Sequence, residues 1–420
     1  MKRTQYTTLI AAVISGGGAS QNRGGRGACL KSQSVTTAGG MAVDRGVGTM
    51  TSLASRSRRA SSWSIAALTL PILAAMSAPS LAQGAQGAEA AASDAKASTP
   101  QSFADYDATL AEHYPTLRAL VVARGNCVVF EYYRKDINAE TLSPVYSVTK
   151  SVLAILVGIA IDRGYLRLDQ KLSELLPETI DDNVDPHVRD VSVRDLLTMT
   201  AGFDPTEGRA YASIIRVPAT EAWRWMLDSP MKYPPGTHFN YDYLEPDLLS
   251  VVLTRAIKQD AVAFAQRNLF DPLHIKDYRW VSDADGYLEG ATSLSLTARD
   301  MAKIGALYLQ HGRWGDTQIV SEDFVRDSTA EHNEGGPPVH AAYGYFWWVT
   351  SKTDPDAFFA AGYNSQLIYA VPKRDVVAAV AAESIPGGSV SFANDVVLPA
   401  EGALPQSAPC VAHLGSGPSD

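Results

Sequence analysis

The chain has 420 residues, 46% apolar and 19% charged, with a net charge of −9. That length supplies core for about two domains, and the composition excludes a disordered, collagenous or coiled-coil chain. Cys29, Cys127 and Cys410 are too few for a disulfide-stapled miniprotein or a multi-cysteine zinc module, and an acidic chain repels phosphate backbones, so nucleic acid is not an expected partner.

The charge is unevenly spread. From Met1 to Ala82, Lys2, Arg3, Arg23, Arg26, Lys31, Arg45, Arg56, Arg58 and Arg59 are opposed by Asp44 alone, so the remainder is more acidic than the sum. Arg56, Arg58 and Arg59 precede an apolar stretch from Ile65 to Ala75, and Ser80-Leu81-Ala82 follows as a small-x-small cleavage site. Together these form the three parts of a secretory signal. The stretch is too short to span a bilayer and contains Pro71, so no stable membrane anchor is expected. Gly- and Ser-rich residues stand ahead of the signal, which makes Met50 an alternative start, and Arg58-Arg59 leaves Sec and Tat export both open. Residues 1–82 are therefore expected to be a leader and 83–104 a flexible linker. The body is expected in the periplasm or outside the cell.

Beyond the linker, Leu117 to Val122 and Cys127 to Tyr133 are strand-like runs joined by the hairpin signal Arg124-Gly125-Asn126. Lys150 to Ile161 is a nearly unbroken apolar run, long enough for a buried helix and stopped by Gly164. Val193 to Met199, Glu221 to Leu227 and Asp247 to Ile257 predict helices among Pro/Gly turns. Ser295 to Gln310 predicts an amphipathic helix with Leu296, Met301, Ile304, Leu307 and Tyr308 on one face. Tyr345 to Thr350, Gln366 to Val371 and Val376 to Ala382 predict strands. Strands at both ends with helices between them predict an α/β domain built from 105–165 and 285–400, an all-helical insertion at 166–284 and a tail at 401–420. Sites favour such a junction.

The chain has no Gly-x-Ser-x-Gly elbow, no Walker loop and no His-Glu-x-x-His. A Ser-x-x-Lys pair, which puts a hydroxyl and an amine on one helix face, occurs at Ser93/Lys96, Ser147/Lys150 and Ser229/Lys232. Ser93 lies in the linker, and Ser229 is followed by Pro230 and a Pro-Pro-Gly turn. Only Ser147 opens a buried helix, where it is held rigidly at the positive end of the helix dipole. The dipole and burial both disfavour an ammonium at Lys150, so a neutral fraction could accept the serine proton. The ordinary alternative is an N-cap serine beside a solvated first-turn lysine.

The context of that pair resembles a known family. Tyr146-Ser147-Val148-Thr149-Lys150 followed by Gly164-x-Leu166-x-Leu168-Asp169 is similar to the first motif of the penicillin-recognising serine hydrolases, the group of class C β-lactamases, D,D-peptidases and related esterases. Asp195 to Phe203, Pro235-Gly236-Thr237-x-Phe239-x-Tyr241, Leu296 to Ala302, Gly362-x-x-x-Gln366-x-Ile368 and Pro372-x-x-Asp375-x-Val377 follow in the family's order. The resemblance runs from about Leu117 to Ala382 and implies the β-lactamase/penicillin-binding-protein-like fold, a central antiparallel sheet flanked by helices with an inserted all-helical domain. It implies Ser147 as nucleophile, Lys150 as its proton-transfer partner, and Tyr241 as the tyrosine of the Tyr-x-Asn motif. A Tyr241 base would act as phenolate, stabilised by Lys150. The backbone amides of Ser147 and Tyr363 are implied as the oxyanion hole.

Two positions depart from the family. The third residue of Tyr-x-Asn is Tyr243, and the usual Lys-Thr-Gly or His-x-Gly reads Ala360-Ala361-Gly362. In β-lactamases and D,D-peptidases that strand helps to hold a substrate carboxylate, so its loss argues against penicillins and peptidoglycan termini. With Gly344-Tyr345-x-Trp347-Trp348, this is more like the branch containing 6-aminohexanoate-dimer hydrolases and small-ester esterases. The expected function is therefore hydrolysis of a small-molecule ester or linear amide through an acyl-enzyme on Ser147. Tyr243, Gly362, Gln366 and Trp347 are expected to bind substrate, and no metal or organic cofactor is expected. The rivals are a β-lactamase or D,D-carboxypeptidase and a non-catalytic ligand-binding relative. Export permits a Cys127–Cys410 disulfide, but sequence leaves both that pairing and the oligomeric state open.

Overall fold

The structure is a computed structural model that describes residues 106–181, 183–204, 222–350, 356–405 and 407–415. The expected leader at 1–82, the expected linker at 83–104, Ser93/Lys96 and most of the segment between Phe203 and Ala222 lie outside the described residues.

A nine-stranded sheet organises the described chain. Its strands are β1 (Leu117–Arg124), β2 (Cys127–Tyr133), β3 (Asn333–Gly336), β4 (Ala341–Tyr343), β5 (Trp348–Val349), β6 (Phe358–Gly362), β7 (Gln366–Val371), β8 (Val376–Ala382) and β9 (Ala412–His413). They lie in the order β9-β2-β1-β8-β7-β6-β5-β4-β3, and every neighbouring pair is antiparallel. The β1–β8 pairing, Leu120 opposite Val380, joins the first and last thirds of the described chain into one layer. The central strands β7 and β8 are buried at every position. Since alternate side chains point to opposite faces, both faces of these strands are covered. Helices Val148–Asp162 and Ala298–Leu309 pack against the centre of the sheet.

Helices Leu172–Leu175, Val193–Leu197, Ala222–Leu227, Leu244–Ile257 and Ala261–Ala265 fall between the two sheet-forming parts of the chain. Cys127 and Cys410 form a disulfide that fastens the segment before the edge strand β9 to its neighbour β2.

Two elements differ from expectation. The helix expected from Ser295 begins at Ala298, because Leu294–Leu296 is a strand paired with Ser143–Pro144 and Thr297 caps the helix by accepting from Asp300 N. The strand expected over Tyr345–Thr350 shrinks to β5, since Phe346 is left-handed with φ 58° and its N–H turns away to bond Leu197 O.

Gly305 marks where the Ala298–Leu309 helix meets the sheet most closely. A Cβ there would stand 2.4 Å from Val377 Cγ2 and 2.8 Å from Ile368 Cγ2. Gly305→Ala would gain about 1 kcal/mol of helix propensity, but overpacking a dense core costs about 1–3 kcal/mol. The variant is expected to be less stable by about 1 kcal/mol, read as a lower urea midpoint at unchanged m-value.

Candidate active site

The site begins where the two short strands Ser143–Pro144 and Leu294–Leu296 pair. Val145 N donates to Leu294 O at 2.9 Å, and Leu294 N donates to Thr149 Oγ1 at 3.2 Å, so the turn at Ser147 is bound to the segment following Ala291. Tyr146, just before the serine, is left-handed with φ 48°, a conformation that costs a non-glycine residue about 1 kcal/mol. It turns the chain sharply into helix Val148–Asp162. Ser147 occupies the N-cap position, yet its side chain makes no capping bond. The hydroxyl is instead directed to other partners, which removes the ordinary N-cap alternative.

Lys150 Nζ donates to Ser147 Oγ at 3.1 Å and to Ala291 O at 2.8 Å. The side chain is only 1% exposed. Burial lowers its pKa from 10.5 to about 8, with the carboxylates of Asp247 and Asp242 pulling it back up. Such a lysine is more readily neutral near physiological pH than a solvated one. Tyr241 is partly buried, and its hydroxyl is near enough to the Ser147 side chain for that side chain to lower its pKa. Its ring centroid lies 5.0 Å from Lys150 Nζ. Trp348, 5.3 Å away between centroids, and Tyr343, 6.1 Å away, back the phenol. Burial pushes the phenol well above its usual pKa, and the nearby Ser147 side chain offsets only part of that. Burial thus favours the neutral phenol over the phenolate expected for Tyr241, while Lys150 is brought closer to losing its proton near neutral pH.

The approach to helix Leu244–Ile257 holds Tyr241 in place. Asn240 N donates to Met199 O at 2.8 Å, and Asp242 Oδ1 accepts from Leu244 N at 2.9 Å and Glu245 N at 3.1 Å. Asp242, the residue directly after Tyr241, thus caps the helix. Burial raises its pKa to about 6 against those two amides and Lys150. Tyr243 is 36% exposed, with its ring 5.1 Å from Lys150 Nζ.

Gly362 and Tyr363 lie on the other side of the serine, at the end of β6. A Cβ on Gly362 would stand 2.2 Å from Val145 O, so only glycine lets this strand lie against the Ser147 turn. The Tyr146 and Tyr363 rings meet edge to face at 5.6 Å, and Tyr363 is 73% exposed. Asn364 and Ser365 are both left-handed, and the turn is pinned by Gln366 Nε2 donating to Asn364 O at 3.1 Å and Ile385 N donating to Ser365 Oγ at 2.9 Å.

The structure thus brings Ser147, Lys150, Tyr241, Tyr243, Gly362 and Tyr363 together. It does not bring the other two expected residues to the surface. Trp347 is fully buried, packed against Tyr308 and Phe358. Gln366 is 2% exposed, with its amide donating to Ala382 O and Asn364 O, so it braces the turn from within the sheet. The Ala291 carbonyl, Asp242 and Asp247 went unrecognised in the sequence; a backbone carbonyl carries no side-chain signature.

A hydroxyl bonded to a buried amine, with a partly buried phenol close by, at the start of a helix beside an antiparallel sheet, is the arrangement expected of a β-lactamase-like fold. The Beta-lactamase family model matches residues 100–400, and the chain belongs to that family of serine hydrolases. It is 25% identical over 281 residues to the 6-aminohexanoate-dimer hydrolase of Paenarthrobacter ureafaciens, a match covering 62% of this chain and 70% of that protein. It is 28% identical over 160 residues to Esterase EstB of Burkholderia gladioli, covering 35% and 41% respectively. The octameric penicillin-binding protein homologue from Pyrococcus abyssi superposes with a TM-score of 0.56 at 16% identity, over 73% of this chain and 78% of that one, a likeness of fold.

Gly362→Ala is expected to fold, because strand β6 can shift at its end, but to displace the Ser147 turn. A displacement on the order of 1 Å costs about 100-fold in rate. The expected result is that loss in kcat/KM on a nitrophenyl ester with an unchanged far-UV circular dichroism spectrum.

Proposed function

We propose that the protein hydrolyses small-molecule esters or linear amides through an acyl-enzyme on Ser147. The observation that carries this reading is the 3.1 Å contact between Lys150 Nζ and Ser147 Oγ inside a site that leaves part of the lysine neutral. Neutral Lys150 takes the Ser147 proton as Oγ attacks the carbonyl carbon. The amides of Ser147 and Tyr363 receive the developing oxyanion. The backbone bonds of the turn leave the Ser147 amide unused: Val148 N bonds Val145 O, Thr149 N bonds Tyr146 O and Lys150 N bonds Ser147 O. As the tetrahedral adduct collapses, the Tyr241 hydroxyl passes its proton to the leaving oxygen or nitrogen and regains one from the Lys150 ammonium. Water attacks the acyl-enzyme by the same route in reverse, releasing the acid and restoring Ser147.

The substrate class follows from the rim. Buried Ala360 and half-buried Ala361 stand where the resembled β-lactamases and D,D-peptidases carry a cation or hydroxyls for a carboxylate. Tyr146, Tyr243 and Tyr363 surround the serine with uncharged rings, which suits a neutral ester or amide over an anionic one. The names of two relatives, a linear-amide hydrolase and an esterase, agree. Export to an oxidising compartment completes the proposal, supported by the Cys127–Cys410 disulfide. Neither nucleic acid nor a membrane anchor enters it.

The test is a panel of short-chain nitrophenyl esters, a linear aminohexanoate amide and a chromogenic cephalosporin, with intact-protein mass spectrometry of a fluorophosphonate-treated sample. Ester or amide turnover should exceed cephalosporin turnover, and one adduct should map to Ser147. Ser147→Ala should lose at least about 10,000-fold in kcat/KM. Faster cephalosporin hydrolysis would reassign the substrate to β-lactams; unchanged turnover in Ser147→Ala would reject the acyl-enzyme.

A further inference from the structure

We propose that Asp247 is a positioning residue for proton transfer at Ser147: it fixes the Gly290–Ala291 turn that anchors Lys150 and supplies a carboxylate charge that faces the ammonium. This rests on Ser147 being the nucleophile.

Asp247 lies in the first turn of helix Leu244–Ile257 and is 5% exposed. Its Oδ1 accepts from Ala291 N at 2.9 Å, and the Gly290 amide lies near enough to lower the pKa of the same carboxyl. Ala291 is therefore gripped on both sides: its N–H by Asp247, its carbonyl by Lys150 Nζ at 2.8 Å. The lysine reaches Ser147 from an anchor point that a carboxylate forty-four residues earlier in the chain holds still. Asp247 Oδ2 is buried and has no hydrogen-bond partner among the described residues. An unsatisfied buried carboxylate oxygen costs stability. A neutral amide could hold the turn equally well through one oxygen. Burial raises the Asp247 pKa to about 7 against the backbone bonds and Lys150, so its charge is present above neutral pH, where Lys150 gives up its proton.

That charge faces the ammonium. Lys150 is faced by Ser147 on its own helix, by the Tyr241 and Tyr243 rings, by the Ala291 carbonyl, and by the carboxylates of Asp242 and Asp247. Asp247 is the stronger of the two carboxylate influences on Lys150. Asp247 in turn is faced by Lys150 and, across the turn, by Glu289, which has Asp283 beyond it. Burial alone would drive the lysine toward a poor, weakly basic amine. A facing carboxylate restores basicity, leaving a base matched to neutral or mildly alkaline operation.

The discriminating variant is Asp247→Asn, which keeps an acceptor for the turn and removes the charge. The measurement is the pH dependence of kcat/KM on a nitrophenyl ester, together with the pH dependence of Ser147 labelling by a fluorophosphonate, which reports the same ionisation without deacylation. In D247N the rise of both rates with pH should move to lower pH, by about tenfold or more in proton concentration. The plateau of kcat/KM should fall because the freed amine is a weaker base. An Asp247 that only braces the turn would leave both midpoints where they are in the wild type, and that result overturns the proposal. If neither D247N nor D247S folds, Asp247 belongs to the scaffold and the proposal is equally overturned. Failure of wild-type Ser147 to label at all would strike instead at the acyl-enzyme reading.

Discussion

One buried amine organises the site. Lys150 is withdrawn from water and must share its protons with whatever acceptors the fold brings to it, here Ser147 Oγ and the Ala291 carbonyl. An ammonium in such a place is costly unless it is paired, and the two outcomes available are partial neutralisation and a nearby carboxylate. The structure uses both: the lysine's pKa falls to about 8, and Asp247 and Asp242 stop it falling further. The remaining parts follow from keeping that amine in place. The Ser143–Pro144 and Leu294–Leu296 strands bring Ala291 alongside the serine, helix Leu244–Ile257 presents the carboxylates, and Trp348 and Tyr343 hold the phenol in front.

Backbone geometry supplies the rest. Left-handed Tyr146, the side-chain-free Gly362 and the Asn364–Ser365 turn bring two segments from opposite ends of the described chain to the same serine. The Tyr146 turn and the close approach at Gly362 are main-chain features, while the Gln366 and Ser365 side chains only brace the Asn364–Ser365 turn. This explains how the third motif can read Ala360-Ala361-Gly362 while the proposed oxyanion amides keep their setting, and why the loss of side chains there bears on substrate charge rather than on acyl transfer.

What was legible in the sequence depended on how local the information was. Ser147 and Lys150 are three residues apart on a helix, so their juxtaposition follows from helical geometry. The Thr297-x-x-Asp300 cap was equally local, yet the apolar residues before it pulled the expected helix start back into a strand. Tyr241 reached the site only through the family resemblance, since nothing in its own neighbourhood says what lies across from it. The paired tryptophans show the limit of alternation. Neighbours on a strand face opposite ways, but left-handed Phe346 breaks the register just before them, and it is Trp348 that meets Tyr241 while Trp347 enters the core. Gln366 sits in a strand buried on both faces, where pattern cannot separate a bracing amide from a binding one. Ala291 was out of reach, because its contribution is a carbonyl placed by strand pairing.

The central claim is that burial leaves Lys150 half-deprotonated only a little above neutral pH while still bonded to Ser147. The most direct measurement is an NMR titration of the folded protein with 13Cε-labelled lysine, the Lys150 signal assigned by its loss in Lys150→Arg. A midpoint at about 8 is the expected result; a midpoint at the ordinary lysine value of 10.5 would contradict the account.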